Sequence, residues 1–358
     1  MQTRVFFLAY LYTKAMNIRE NVPLSDHTTM RLGGPARYLT EITSEDQIAE
    51  AISFANEKDV EFVVIGDGSN VVWTDEGYNG LVIVNKLTGF DVDDTDPQFA
   101  YVHAAAGENW DSVVERCVEL GLTGIESLSL VPGTCGAAPI QNIGAYGQEI
   151  ADTIHEVHLY DTQDGAFESF EKEACNFSYR HSIFNTSAKG RYIITGITLK
   201  LFKSRPTPPF YRDVEAYLSE HDILGPTPQQ LREAVIAIRT LKLPDPRVVA
   251  NNGSFFHNPI VEPEVARQLL ATYPELPNWE MNDGRFKLSA AWLIESAGFP
   301  KGYEDPETGM ANWKNQALVL VNESAHSAND LFTFRDKIIA AVHDKFGLSL
   351  NQEPEIIT

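Results

Sequence analysis

Residues 132–147 read PGTCGAAPIQNIGAYG, with glycine at 133, 136, 144 and 147 and few side chains large enough to cover the backbone. A stretch of that length with neither helical nor strand periodicity is uncommon in a compact domain unless it binds a ligand or packs as an Ω-loop. It follows a helix-spaced segment from about Trp110 to Leu120 that stops at Gly121. It precedes IHEVHLYDT (154–162) and RYIITGITLKLF (191–202), whose alternation predicts antiparallel strands. Upstream, Ile48, Ala51, Ile52 and Ala55 recur at helical spacing behind a Ser44/Gln47 capping box. The β-branched strand EFVVI (61–65) comes next and runs straight into GDGSN (66–70). A chain of this kind must hang two glycine loops on a framework of helices and strands.

Beyond the proline-rich KSRPTPPFYRD (203–213), a helix is predicted from a Thr227/Gln230 capping box to just before Pro244. Helices in LSAAWLIESAG and ANDLFTFRDKIIAAVHDKFG, and the strand ALVLVN, complete the last third. The shift in composition across 203–226 is the expected domain boundary.

Composition narrows the function classes. A chain of 358 residues supports two or three domains, and 43% hydrophobic residues argue for a globular protein. A formal charge of −22 disfavours nonspecific binding to nucleic acid or membranes. Cys117, Cys135 and Cys175 are odd in number and form no CxxC, so reduced thiols and a cytoplasmic location are expected. Nine scattered histidines with no HExxH suggest no metal site. The apolar run Val5–Tyr12 is too short to span a bilayer; it reads as a marginal signal peptide or as an extension upstream of a working start at Met16.

Individual motifs leave alternatives open. GDGSN is an anion-binding nest or an ordinary turn, since it lacks the GxGxxG spacing. The 132–147 loop wraps a flat polar cofactor or is structural. Arg180 in CNFSYRHSIF is a carboxylate or phosphate clamp or half of an ion pair. Ser254 in ANNGSFFHNPI has no acidic or basic partner beside it, so it does not read as an activated nucleophile. Glu353 and Glu355, in QEPEIIT, would ordinarily be solvated.

In this order, however, TTMRLGGPARYL, GDGSNVV, LVPGTCGAAPIQNIGAYG, FSYRHSIF, RTLKLPDP, NNGSFFHNP, SAAWLIESAG, NQALVLVN and EPEI resemble the bacterial UDP-N-acetylenolpyruvoylglucosamine reductases of peptidoglycan synthesis. The resemblance runs from about residue 20 to the C-terminus. It implies an α+β fold: a two-subdomain FAD-binding domain of the vanillyl-alcohol-oxidase type (17–204, dividing near 88), a connector with a substrate loop (205–226) and an α/β substrate domain (227–358) whose end returns to the active site. Residues 1–16 would be an N-terminal extension. By the same resemblance Gly66, Gly68, Ser69, Asn70, Gly133, Gln141, Asn142, Ile143 and Gly144 bind FAD. Arg180, Ser254 and Glu355 are catalytic: Arg180 holds the substrate carboxylate, Ser254 protonates carbon and Glu355 steadies the enolate, with Glu353 its rival by adjacency. Tyr146, Tyr211, Lys242, Asn258 and Gln316 contact the UDP-substrate.

FAD and NADPH are the implied cofactors, the partners are small molecules, and a monomer is expected. Two departures stand out. The family's usual Tyr-Gly-Asp reads Tyr211-Arg212-Asp213 here, and KGYEDPETGMANW carries extra polar residues before Asn315. The remaining alternatives are another FAD oxidoreductase of this fold acting on an alcohol or sugar, and a nonenzymatic flavin or nucleotide-sugar module.

Overall fold

The computed structural model describes residues 16–358; the readings made for residues 1–15 lie outside the described residues. Three of the four strands in the first sheet, Pro35–Ile42, Tyr78–Asn85 and Phe62–Ile65, are parallel, and Arg19–Pro23 adds an antiparallel edge. The central strand is buried on both faces from Leu81 to Asn85, as a parallel strand covered on each side must be. One cover is the helix Asp46–Lys58, which sends Ile48, Ala51 and Ala55 into the core.

The Ser44/Gln47 capping box does not form. The helix starts after Glu45, with no side-chain cap, and Gln47 Oε1 instead accepts from the Thr43 backbone N at 2.7 Å and the Thr43 hydroxyl at 3.2 Å. Glutamine is long enough to reach past the serine to the end of the preceding strand, where it satisfies a backbone donor as well.

A second sheet is antiparallel, in the order Ala166–Glu171, Ile154–Asp161, Tyr192–Phe202, Phe99–Ala105, Phe90–Asp93. The helix Trp110–Glu119 covers one face of it with Trp110, Val113, Val114 and Cys117. In the C-terminal unit, Ala250–Ser254, Gln316–Asn322 and Met310–Trp313 form a three-stranded sheet, packed with the helices Ala290–Ser296 and Ala328–Phe346. The unusual polar stretch before Asn315 has a structural use: nearly buried Asp305 holds Lys337 of the last helix at 2.7 Å, and Glu307 holds it at 2.6 Å.

Two connections draw the units together. The C-terminal strand Glu355–Ile357 leaves its own unit and pairs in parallel with Val71–Trp73, directly after the first glycine turn. The helix Pro228–Lys242, with its Thr227/Gln230 capping box formed, packs with Arg212–Glu220 against the 110–130 region. Arg232, 5% exposed, makes a two-pronged ion pair with Asp111 at 2.6 and 3.1 Å.

Burial pushes the Asp111 carboxyl up. The Arg232 hydrogen bond, the Leu130 amide and the Arg232 charge outweigh burial and hold it below its ordinary value. A depressed carboxylate contributes stability above its unfolded pKa, and that contribution is lost as pH falls through the folded value. Arg232→Met should therefore lower stability at neutral pH by about 3 kcal/mol, because it strands a partly buried charge. Its stability should then fall less steeply than wild type on acidification, as measured by denaturant melts across the acid range. A neutral-pH loss under about 0.5 kcal/mol, ordinary for surface positions, would show that the pair does not clamp the helix.

Candidate active site

Both glycine loops face one cavity of about 680 Å3, within the usual range for small-molecule sites. The sequence explains why the loops meet. A Cβ on Gly66 would lie 2.4 Å from Thr134 Oγ1, so glycine is needed here for one loop to touch the other. Ser69 Oγ donates to Pro132 O at 3.3 Å, and Asn70 Nδ2 donates to Gln141 Oε1 at 2.9 Å. The cradle is thus built from interlocked backbone and side-chain hydrogen bonds.

Of the residues expected to bind FAD, Gly66, Gly68, Ser69, Asn70, Gly133, Gln141, Ile143 and Gly144 line this cavity. Asn142 does not. Its fully buried amide donates to Glu149 Oε2 at 2.6 Å and Ser178 O at 2.9 Å and accepts from Ala151 N at 3.1 Å. Asn142 thereby braces the loop from behind.

The cavity suits a long, flat, partly charged cofactor. Val64, Ile65, Trp110, Ile140, Ile193 and Ile194 supply apolar walls and the glycine loops supply exposed main chain. Two polar atoms of cavity-lining residues, Asn252 Oδ1 and Arg239 Nε, are buried with no hydrogen-bond partner among the described residues. Buried polar groups normally find partners, so both are suited to a bound polar ligand. Burial pulls the Arg239 guanidinium down from its ordinary value, and an anion beside it would offset that desolvation.

Arg180, Ser254 and Glu355 all reach this cavity. Arg180 sits in a tight turn in which Ser178 and His181 exchange backbone hydrogen bonds at 3.0 Å, and its φ of +55° is unusual for a side chain of this size. Local strain of this kind occurs at sites where a side chain must be aimed. One terminal nitrogen donates to Gly144 O at 3.0 Å, and Nε donates to Glu353 Oε1 at 2.9 Å. Gln141 Nε2 reaches the same oxygen at 3.4 Å. Glu355 lies two residues on, where Lys189 holds it at 2.6 Å; both of those side chains are more than one-third exposed.

Ser254 ends its strand at a bulge: pairing with Gln316–Asn322 slips between Asn251 and Ser254, and Gly253 takes φ +71°. Bulges re-aim side chains. Phe255 and Phe256 follow, essentially fully buried, and fix the serine from the other side. Among the described residues its hydroxyl has no hydrogen-bond partner.

The five substrate-side residues do not line the cavity. Tyr146 and Tyr211 meet edge to face with ring centroids 5.5 Å apart. Lys242 is held by Asp213, the acid of the Tyr-Arg-Asp departure. Asn258 Oδ1 accepts from Ala290 N at 3.0 Å, and Gln316 opens the central strand of the last sheet. Four residues around the site escaped the sequence reading: Arg239, Asn252, Lys189 and His257. Three of them lie inside quoted motifs, Arg239 in RTLKLPDP and Asn252 and His257 in NNGSFFHNP. Lys189 lies in a loop with no local signal at all.

A family model for the FAD binding domain matches residues 36–170, and one for the UDP-N-acetylenolpyruvoylglucosamine reductase C-terminal domain matches residues 245–357. A UDP-N-acetylenolpyruvoylglucosamine reductase of Ralstonia nicotianae is 40% identical over 338 residues, covering 94% of this chain and 98% of the relative. One of Cupriavidus pinatubonensis is 40% identical over 341 residues, covering 95% and 99%. The crystal structure of the Thermus caldophilus reductase has the same fold, with a TM-score of 0.66 at 22% identity, covering 96% of this chain and all of that one. No helix among the described residues is long and apolar enough to cross a membrane.

Proposed function

Because the chain belongs to the UDP-N-acetylenolpyruvoylglucosamine reductase family, we propose that Arg180, Ser254 and Glu355 act on an enolpyruvyl nucleotide beside FAD held in the cavity between the two glycine loops. The enzyme is a UDP-N-acetylmuramate dehydrogenase, reducing UDP-N-acetylglucosamine enolpyruvate to UDP-N-acetylmuramate with FAD and NADPH as cofactors. FAD would be held by the residues of both glycine loops that line the cavity, Gly66, Ser69 and Gly133 among them, and would supply hydride chemistry, with NADPH as the reductant and the terminal carbon of the enolpyruvyl double bond as the acceptor.

The protein's own task is to stabilise the charge that then builds on the adjacent carbon and the carboxylate, and to deliver a proton. Arg180 binds the carboxylate and opposes that charge. The Ser254 hydroxyl protonates the carbanion-like carbon. An alkoxide is a weaker base than such a carbon, so the serine needs a fixed position and no partnering base. Glu355 borders the same space on the C-terminal strand and steadies the enolate by donating a hydrogen bond from its carboxyl, since a carboxylate would repel that charge; its tie to Lys189 is a partly exposed pair of the kind worth little, so it releases easily.

The observation that carries this reading is the convergence of three distant stretches, around 180, 254 and 355, on a cavity formed by both glycine loops. An anaerobic absorbance trace tests it. NADPH should bleach the flavin band, and the enolpyruvyl nucleotide should restore it; bleaching without recovery would remove the substrate assignment.

We divide the chain into an FAD-binding unit of two subdomains (17–204), a connector (205–226) and a substrate unit (227–358), with Arg232 fastening the first helix of the last unit to the FAD side. Tyr211 is 41% exposed and rests on Tyr146; we assign it to folding over the UDP diphosphate, assisted by Arg212, with Lys242, Asn258 and Gln316 completing the nucleotide contacts. Tyr211→Ala should weaken UDP-nucleotide binding by roughly tenfold, the scale of one lost aromatic contact. Titration of the oxidised enzyme measures it, and an unchanged Kd would sink the lid role.

A further inference from the structure

The carboxylate on Arg180 in this structure belongs to the protein itself. We propose that Glu353 is a resident stand-in for the substrate carboxylate, and that His257 receives it, together with a proton from solvent, when the substrate takes its place on Arg180. The proposal rests on the reading of Arg180 as the carboxylate clamp.

The geometry for such an exchange is in place. Glu353 Oε1 is on Arg180 Nε at 2.9 Å, and Glu353 Oε2 already stands 3.9 Å from His257 Nε2. That Nε2 is buried with no hydrogen-bond partner among the described residues. The backbones beneath are zipped together: Glu353 N donates to Phe255 O at 2.8 Å and His257 N to Asn351 O at 2.9 Å. Glu353 can therefore change partner by side-chain rotation alone. Arg180 does not follow it, because Gly144 O and the strained turn hold the guanidinium at the cavity.

Charge then requires the proton. Groups facing the imidazole are Glu353, Arg180 and the ring of Tyr179, with Lys287 Nζ 5.2 Å beyond on that ring. Burial is the largest influence and lowers the His257 pKa from its usual value, and Arg180 acts the same way, against the opposing pull of Glu353. In the free enzyme, Arg180 and Glu353 balance each other. An arriving carboxylate leaves two anions on one arginine in a poorly solvated site, where such an excess is expensive. Protonation of His257 Nε2 restores the balance and gives the displaced Glu353 a charged donor. No covalent bond other than N–H forms, and nothing is oxidised.

The consequence is a proton-coupled preference for ligands that carry a carboxylate. Above the free His257 pKa, binding of UDP-N-acetylmuramate to the oxidised holoenzyme should take up close to one proton and tighten by up to about tenfold per unit fall in pH. UDP-N-acetylglucosamine, which lacks the carboxylate, should do neither.

Calorimetric titration of both nucleotides in two buffers of different ionisation heat measures the uptake directly. His257→Phe and Glu353→Gln, each checked for retained flavin absorbance, should abolish it, and Glu353→Gln should bind UDP-N-acetylmuramate at least as tightly as wild type, since the internal competitor has lost its charge. Absence of uptake in wild type, or uptake that persists in either variant, overturns the proposal. If UDP-N-acetylmuramate outbinds UDP-N-acetylglucosamine only while Arg180 is present, yet no proton is taken up, the clamp stands and the exchange falls. If Arg180→Ala leaves the two nucleotides' affinities unchanged, the clamp itself is wrong.

Discussion

In a Ser254→Ala enzyme, NADPH should bleach the flavin at the wild-type rate, and recovery on addition of the enolpyruvyl nucleotide should slow by at least ~10²–10⁴-fold, the range a positioned general acid contributes. The upper end is favoured by the surroundings. Phe255 and Phe256 are packed to essentially zero exposure immediately beyond the serine, so a substitute water has little room to approach from that side. The structural risk of the substitution is small. The serine hydroxyl has no hydrogen-bond partner among the described residues, so alanine strands no donor or acceptor, the usual reason for a large loss at a half-buried serine. The bulge between Asn251 and Ser254 is set by Gly253, whose N donates to Asn251 Oδ1 at 2.8 Å, and it stays intact. Stopped-flow absorbance resolves the two half-reactions. Equal slowing of both would mean that the serine supports the site without donating to it.

What sequence reasoning reached, and where it stopped, follows from the range of the forces involved. The Thr227/Gln230 box, the stop at Gly121 and the antiparallel strands Ile154–Asp161 and Tyr192–Phe202 are signalled within a few residues, and all are present. The Ser44/Gln47 box depends equally on local chemistry, yet Thr43, one residue upstream of the serine, offers Gln47 a backbone and a hydroxyl donor together, and that local alternative won. The two tail glutamates lie beyond local reasoning. EPE names two carboxylates, but their partners come from 173 residues away for Glu353 and from the 186–190 loop for Glu355. The parallel pairing of Glu355–Ile357 with Val71–Trp73, together with the Glu353 N to Phe255 O hydrogen bond, sets which carboxylate meets Arg180. Asn142 shows the same limit: its motif marks it as a cofactor contact, and the fold turns its amide inward to hold Glu149 and Ser178. Lys242 likewise meets Asp213 across the connector. Residue type and order reveal that a site exists, whereas the partner of each charge is set by which distant segments the cores pull together.

Gly68→Ala should be the most damaging single methyl that can be added to the cofactor cradle. Gly68 has φ +67°, and a Cβ there would lie 2.1 Å from His27 O and 2.9 Å from Thr28 Cα, all backbone. The left-handed conformation alone costs an alanine roughly 1–2 kcal/mol. The clash adds to this, because neither loop can yield alone: Thr29 N donates to Gly68 O at 3.1 Å and the Thr28 hydroxyl donates to the same oxygen at 3.2 Å. Moving Gly68 away from His27 also pulls on Ser69 and Asn70, which tie the turn to Pro132 and Gln141 of the other loop. The expected result is a destabilisation above ~3 kcal/mol together with purified protein that lacks flavin absorbance and does not regain it when FAD is added. Gly121→Ala separates the two contributions. Gly121 has φ +75°, yet a Cβ there meets nothing within 4 Å. It should lose only about 1–2 kcal/mol to the left-handed backbone and keep its FAD. Thermal melts with and without added FAD read both quantities. If Gly68→Ala retained FAD and melted like Gly121→Ala, the two glycine loops would not be coupled through this contact, and the preformed cradle would have to be replaced by one that closes only around its ligand.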